Sequence, residues 1–340
     1  MLGRTDKLNM TTRKAKGIGL LSGGLDSILA VKVLLEQDLD LLGLIFVTPF
    51  FGPRQGADLG VVTGIPVRPV EIAQKHLEML KKPLYGYGSQ MNPCIDCHAL
   101  MLREAGRLME EEGADFLFTG EVLGQRPMSQ RRDSLRSVEK LSGHAGRVLR
   151  PLSAKLLPPT LVEAEGLVDR EKLLDISGRS RKRQMELAER FGVTDYPQPG
   201  GGCMLTNEGF VNKLREFFKR YPQGAPRDVE LLKWGRHFRL PAGTICAVGR
   251  NKADNEKLTA HACERDVLLK AADFPGPTGI IIASCGIAED LPIAASIVAS
   301  YSDAPADGTE QIRIEYRHGP VTGSLTVANQ GKDCFKELMI

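Results

Sequence analysis

Apolar positions in the first two thirds of the chain alternate between short unbroken runs and runs at helical spacing. "GIGLLS" (17–22) reads as a buried strand that turns at Gly23-Gly24 into "LDSILAVKVLLEQ" (25–37), whose apolar residues recur with a helix period. "LLGLIFVTP" (41–49) and "IPVRPVEI" (65–72) read as further strands. "CHALMLREAGRLMEEEGA" (97–114) reads as a helix, and "DFLFTGE" (115–121) as a strand closed by glycine. Strands alternating with helices predict an α/β domain with a doubly wound parallel sheet and ligands at the strand C-terminal ends. Beyond Cys203 the pattern changes. Helical segments broken by "YPQGAP" (221–226) give way to short strands, "GTICAVG", "VLLKA", "TGIIIAS" and "QIRIEY", with one helix near Ile293–Tyr301. The expected organisation is a basic extension at 1–16, an α/β domain at 17–221, and a smaller α+β domain at 222–340.

Length and composition agree with two soluble domains: 340 residues, 42% hydrophobic and 26% charged. The basic, polar start has no apolar core, so no signal peptide is expected, and no run approaches a transmembrane length. A cytoplasmic protein without a membrane partner follows as the expectation. The net charge is only +3, but residues 125–190 hold 15 Lys/Arg against 9 Asp/Glu, a local +6. Such concentration is the footprint of a polyanion binder or of a solvated helix face.

"SGGLDS" (22–27) stands where the first strand meets a helix, a place where backbone N–H groups and the helix dipole hold phosphate. Gly23 and Gly24 permit close approach, and the Ser22 and Ser27 hydroxyls can donate to phosphate oxygens. Asp26 would repel a bare polyphosphate, so a Mg²⁺ bridging it to the ligand reconciles the charge. The pattern is not Walker A, since no Gly-Lys-Ser/Thr follows. It resembles the PP-loop of the ATP pyrophosphatases, of adenine nucleotide α-hydrolase-like fold. That resemblance implies ATP held by Ser22, Gly23, Gly24, Asp26, Ser27 and Gly120, cleavage between the α- and β-phosphates, and an adenylated substrate. It also implies Phe46 near adenine, a core phenylalanine being the other reading.

Seven cysteines are too few for a disulfide scaffold in a chain this long. Cys94 and Cys97 in "NPCIDC" precede a helix whose N-terminus favours thiolates. Cys203 follows three glycines in "PQPGGGCMLT". An iron–sulfur cluster, a thiol or persulfide relay, and zinc or structural roles all suit such a trio. Cys246, Cys263, Cys285 and Cys334 read as ordinary buried thiols. The layout resembles that of PP-loop tRNA thiouridine synthetases, both 2-thiouridylase and 4-thiouridine types, with Cys97 at the catalytic position and Cys203 as the second cysteine. The resemblance implies a three-cysteine [4Fe–4S] cluster on Cys94, Cys97 and Cys203, tRNA as substrate, and sulfide or a cysteine desulfurase or sulfur carrier as donor.

Gln125, Arg126, Arg131 and Arg132 in "GEVLGQRPMSQRR", and Arg179, Arg181, Lys182 and Arg183 in "SGRSRKRQ", are candidates for gripping ATP phosphates or an RNA backbone. "VGRNKADNEKL" (248–258) and "RDVLLKAADFPGPTGIII" (265–282) resemble the NFACT-type RNA-binding domain. Arg250, Asn251, Lys252 and Lys270 then supply phosphate and 2′-hydroxyl partners. The function expected is an ATP-dependent tRNA sulfurtransferase. A PP-loop ligase or amidotransferase-like enzyme on a small metabolite, and a non-enzymatic tRNA- or ribosome-binding factor, stand as alternatives.

Overall fold

A computed structural model describes residues 13–53, 58–196, 203–282, 286–305 and 311–340. The expected glycine loop at 197–202, most of the basic extension and Cys285 lie outside them. The chain divides into two units, Met1–Gly201 and Gly202–Ile340, a division earlier in the chain than a joint at 222. Among the described residues no helix is long and apolar enough to cross a membrane.

The first unit runs β1 (Lys16–Leu20), α1 (Leu25–Leu35), β2 (Asp40–Val47), α2 (Leu59–Thr63), β3 (Val67–Glu71), α3 (Ala73–Lys81), α4 (Cys94–Glu111), β4 (Phe116–Thr119), α5 (Arg132–Ser142), β5 (Val148–Leu149), α6 (Leu161–Ala164) and α7 (Lys182–Arg190). Its five strands pair in parallel in the order β3-β2-β1-β4-β5. Alternation decides the two faces. Phe116 and Phe118 of β4 enter one core with Leu25, Ile28 and Leu29 of α1, and Leu117 enters the other with Leu100 and Leu102 of α4. Strand β1 makes room for both rings by having no side chain there. A Cβ at Gly17 would come within 2.6 Å of the Phe116 ring, and one at Gly19 within 2.2 Å of the Phe118 ring. The doubly wound parallel sheet expected from the pattern is therefore the fold of this unit. Strand order reverses at β1, so the crevice between the ends of β1 and β4 is the topological switch point.

The second unit runs α8 (Glu208–Arg220), α9 (Pro226–Leu231), β6 (Arg236–Arg239), β7 (Ile245–Val248), α10 (Lys252–His261), β8 (Val267–Ala271), β9 (Gly279–Ile282), α11 (Ile287–Ser300), β10 (Gln311–His318) and β11 (Val321–Ala328). Six antiparallel strands order as β11-β10-β8-β9-β7-β6, with Ala294, Ala295, Ile297 and Val298 of α11 in their core. This is the α+β domain expected. Helix α11 starts well before Ile293 and carries Pro292 inside it. Its first turn is tied down by Asp290, whose carboxylate accepts from the backbone N–H groups of Ala242 and Thr244 at 2.8 and 3.0 Å. A tertiary anchor thus extends a helix that local sequence would begin later.

Candidate functional site

The turn from β1 into α1 is the SGGLDS segment. Gly23 has φ +73°, which a side chain would strain, and Gly24 caps α1 with extended backbone. The Ser22 hydroxyl accepts from Gly24 N–H at 3.3 Å, and the Ser27 hydroxyl donates to Gly24 C=O at 2.8 Å. The first-turn amides of α1 at the open end of β1 carry the positive end of the helix dipole, as phosphate binding needs. Gly120, directly after β4, lies against this loop. A Cβ there would stand 2.5 Å from Asp26 C and Ser27 N. The structure thus brings Ser22, Gly23, Gly24, Asp26, Ser27 and Gly120 together at the switch point. Phe46 is only 4% exposed and packs with Leu44, Ile72 and Ala99 on the α4 face of the sheet, in its core reading.

Asp26 is the group whose bonding is incomplete. Its Oδ2 accepts from Gln125 Nε2 at 2.6 Å, while Oδ1 is buried and finds no hydrogen-bond partner among the described residues. A carboxylate oxygen so placed, beside two hydroxyls and a helix N-terminus, suits a Mg²⁺ carried in with a polyphosphate. Gln125 Oε1 accepts in turn from Gln184 Nε2 of α7 at 2.9 Å. Gln125 therefore serves Asp26. The segments carrying the two basic runs are joined directly, since Leu123 bridges to Ser177 and Gly178 N–H donates to Leu123 C=O at 2.8 Å. Arg126, Arg131, Arg132, Arg179, Lys182 and Arg183 are exposed. Arg132 donates to Leu156 C=O at 2.9 Å, and Arg183 pairs with Asp175 at 2.6 Å. Arg181 is half-buried, with an Nε that finds no partner among the described residues.

Both cysteines of NPCIDC lie in the first turn of α4, which Pro93 opens. Cys97 is buried, and its Sγ lies 3.3 Å from Nε2 of His76 on α3. His76 is wholly buried between the Phe50 and Phe51 rings, each with its centroid 5.3 Å away, and its Nδ1 has no partner among the described residues. Burial pushes its pKa down to about 4, so the imidazole is neutral at pH 7. Thr48 Oγ1 sets the two rings by accepting from the N–H groups of Phe50 and Phe51 at 3.1 and 3.2 Å. Cys94 donates to Asn92 Oδ1 at 3.0 Å. Burial pushes its thiol up, opposed by that bond and by the charge of Arg126. Between the cysteines, Asp96 accepts from Leu84 and Tyr85 N–H at 2.7 and 3.0 Å and pins the preceding loop.

A charged network underlies this end of the sheet. His98 meets Glu121 at 2.9 Å, Arg150 donates to Glu121 at 2.9 Å, and Arg150 also pairs with Glu139. Burial works against the ionised form of Glu121, yet Arg150 and His98 outweigh it and hold its pKa at about 2. Sequence reasoning did not single out His76, Glu121, Arg150 or Gln184. Residues this far apart in the chain give no local signal for their pairing.

In the second unit Cys203 precedes a short turn, Met204–Thr206, and its carbonyl accepts from Thr206 N–H at 2.9 Å. Asn251 caps α10 by accepting from Asp254 N–H at 2.9 Å, and Arg250 pairs with Asp254 at 2.7 Å, so both help build the turn they occupy. Lys252 and Lys270 are exposed. Among the described residues no group of three or more His, Cys, Asp or Glu stands where it could hold a metal ion. Cys94 turns to Asn92 and Cys97 to His76 in the first unit, and Cys203 belongs to the second.

Residues 235–339 match the family described as the NFACT protein RNA binding domain. No curated protein matches the chain. Many solved structures are similar, three of them as follows. The C-terminal part of the fibronectin/fibrinogen-binding protein from Streptococcus suis is 14% identical, with 78% of this chain and 94% of that one covered and a TM-score of 0.28. A predicted subunit of tRNA methyltransferase from Methanocaldococcus jannaschii is 16% identical, over 40% and 69%, at 0.31. NMN synthetase from Francisella tularensis is 13% identical, over 56% and 90%, at 0.24. At these TM-scores the superpositions are loose.

Proposed function

We propose that the chain is an ATP-dependent tRNA sulfurtransferase that converts a uridine carbonyl, at position 2 or 4, to a thiocarbonyl. The observation that carries the reading is the buried Asp26 oxygen that has no partner among the described residues, on a phosphate-type loop at the switch point. The buried Cys97–His76 pair in the same unit and the RNA-binding domain support it.

The SGGLDS amides and the Ser22 and Ser27 hydroxyls bind the β- and γ-phosphates, and Asp26 would hold Mg²⁺, which supplies charge neutralisation on the departing pyrophosphate. The uracil oxygen attacks the α-phosphorus, and pyrophosphate leaves. This turns a poor leaving group into AMP. Cys97, its proton passing to solvent, attacks as a thiolate the outer sulfur of a donor persulfide, and the donor departs as its thiolate with the S–S electron pair. The persulfide on Cys97 then attacks the activated ring carbon, and AMP leaves with the former carbonyl oxygen. A second thiol cleaves the resulting S–S bond at Cys97 Sγ and releases the thiouridine, and two external thiols reduce the disulfide that remains and leave as their own disulfide. Arg126, Arg131, Arg179, Lys182 and the second unit hold the tRNA backbone.

Nucleoside mass spectrometry of tRNA from a deletion strain tests the reading: loss of a thiouridine is expected, and an unchanged complement overturns it. Anaerobic purification with iron and acid-labile sulfide assays tests the sulfur route. An active, iron-free protein is expected; stoichiometric iron and sulfide would replace the persulfide with a cluster.

A further inference from the structure

Three polar side chains from three separate segments form a line into the phosphate loop: Gln184 of α7, Gln125 after β4, and Asp26 of α1. Gln184 is fully buried. The hydrogen bonds are 2.9 Å from Gln184 Nε2 to Gln125 Oε1 and 2.6 Å from Gln125 Nε2 to Asp26 Oδ2. A carboxylate only accepts, so Gln125 must turn its NH₂ toward Asp26. Its C=O then faces Gln184, which must also present an NH₂. The charge of one residue therefore orients both amides. The same polarity leaves Gln184 Oε1 buried without a partner among the described residues. An unsatisfied buried acceptor is costly, and reversing the Gln184 amide would relieve it only by breaking the bond to Gln125.

We propose that Gln125 and Gln184 are positioning residues that engage Asp26 Oδ2 and thereby keep Oδ1 aimed at the Mg²⁺ of Mg·ATP. The inference rests on the Mg·ATP reading of the loop above. Without the chain, Asp26 can rotate about its side-chain torsions and present either oxygen, or neither, to the cation. With it, one oxygen is committed and the other is held ready. Gln184 touches neither nucleotide nor metal and acts through Gln125 alone. It also lies on the helix that begins in the "SGRSRKR" run, so the loop's geometry depends on that helix being seated.

The test is the binding of Mn²⁺·ATP and of metal-free ATP to wild type, Q184M and Q184E, read by isothermal titration and by Mn²⁺ electron paramagnetic resonance, with melting curves alongside. Q184M removes the donor at similar length. Q184E keeps the shape and, when ionised at the alkaline pH of the titration, can only accept, so it draws the Gln125 NH₂ away and turns the Gln125 carbonyl toward Asp26. Loss of one amide–amide hydrogen bond predicts about fivefold weaker Mn²⁺·ATP binding for Q184M, with a larger loss for Q184E. Metal-free ATP should bind all three alike. A merely structural role predicts the reverse order, since Glu is the closer copy of Gln, with equal loss for both nucleotide forms. Wild-type affinity in a folded Q184E overturns the inference. Failure of wild type to bind Mn²⁺·ATP at all overturns the Mg·ATP reading instead. If Q184E does not fold, Q125M gives the same comparison at the middle of the chain, and unchanged Mn²⁺·ATP affinity there overturns it equally.

Discussion

Gly120→Ala inserts one methyl group where the end of β4 meets the phosphate loop. Its carbon would lie 2.5 Å from Asp26 C and Ser27 N and 2.6 Å from Asp26 O, whereas ordinary contact begins at 3.4 Å. All three atoms are backbone, so no rotamer change relieves the overlap, and the two segments must part by roughly 1 Å. Overpacking of this kind costs about 1–3 kcal/mol of stability. A displacement near 1 Å in positioning elements lowers turnover by about a hundredfold. Calorimetry of Mg·ATP binding, with AMP release in the presence of tRNA, measures the second effect, and a thermal melt measures the first. Gly52→Ala is the control, because its Cβ would meet only Val47 Cγ1, at 3.7 Å. A folded G120A protein that binds Mg·ATP and releases AMP as wild type does would refute the placement of β4 against the loop.

Acid should weaken the chain through His76, which stays neutral when folded down to about pH 4 but takes up its proton near 6.5 when unfolded. The stability due to neutral burial is complete above 6.5 and is lost as pH falls from 6.5 to 4, roughly 3 kcal/mol in all. Urea unfolding of wild type and H76Q at pH 7.5 and 4.5 isolates it from His237, which is held down to about 3 in the same sense; a constant difference between the two proteins refutes it. Gly19→Ala should destabilise by about 1–3 kcal/mol by striking the Phe118 ring, and F118L should restore much of the loss. A strictly additive double-mutant cycle would show that the two positions are not in contact. Replacing Arg179 and Lys182 by Gln should weaken tRNA binding and lower its salt dependence, by about one phosphate contact each. An unchanged slope of affinity against salt removes these two residues from the RNA surface.

The alternation of apolar runs and helical spacings was enough to specify the parallel α/β unit, because an unbroken apolar run and a 3.6 period are both local properties of consecutive residues. SGGLDS announced its own place for the same reason: glycine, hydroxyl and carboxylate at a strand–helix junction occupy six adjacent positions. The pair Cys94 and Cys97 was equally visible at the head of a helix. What surrounds these residues was not. Asp26 and Gln125 are 99 residues apart, Gln125 and Gln184 are 59 apart, and His76 and Cys97 are 21 apart on different helices. Nothing in the sequence near His76 distinguishes it from any histidine on an amphipathic helix. It reaches the thiol only because α3 packs on α4 over a turn that raises two phenylalanines. The early start of α11 was hidden for a related reason, since the carboxylate of Asp290 finds donors 48 and 46 residues away. Local sequence therefore determined which elements form and where the phosphate loop and thiols begin. Tertiary packing decided which groups share a site, because hydrogen bonds and buried charges are set by distances that the chain closes only when it folds.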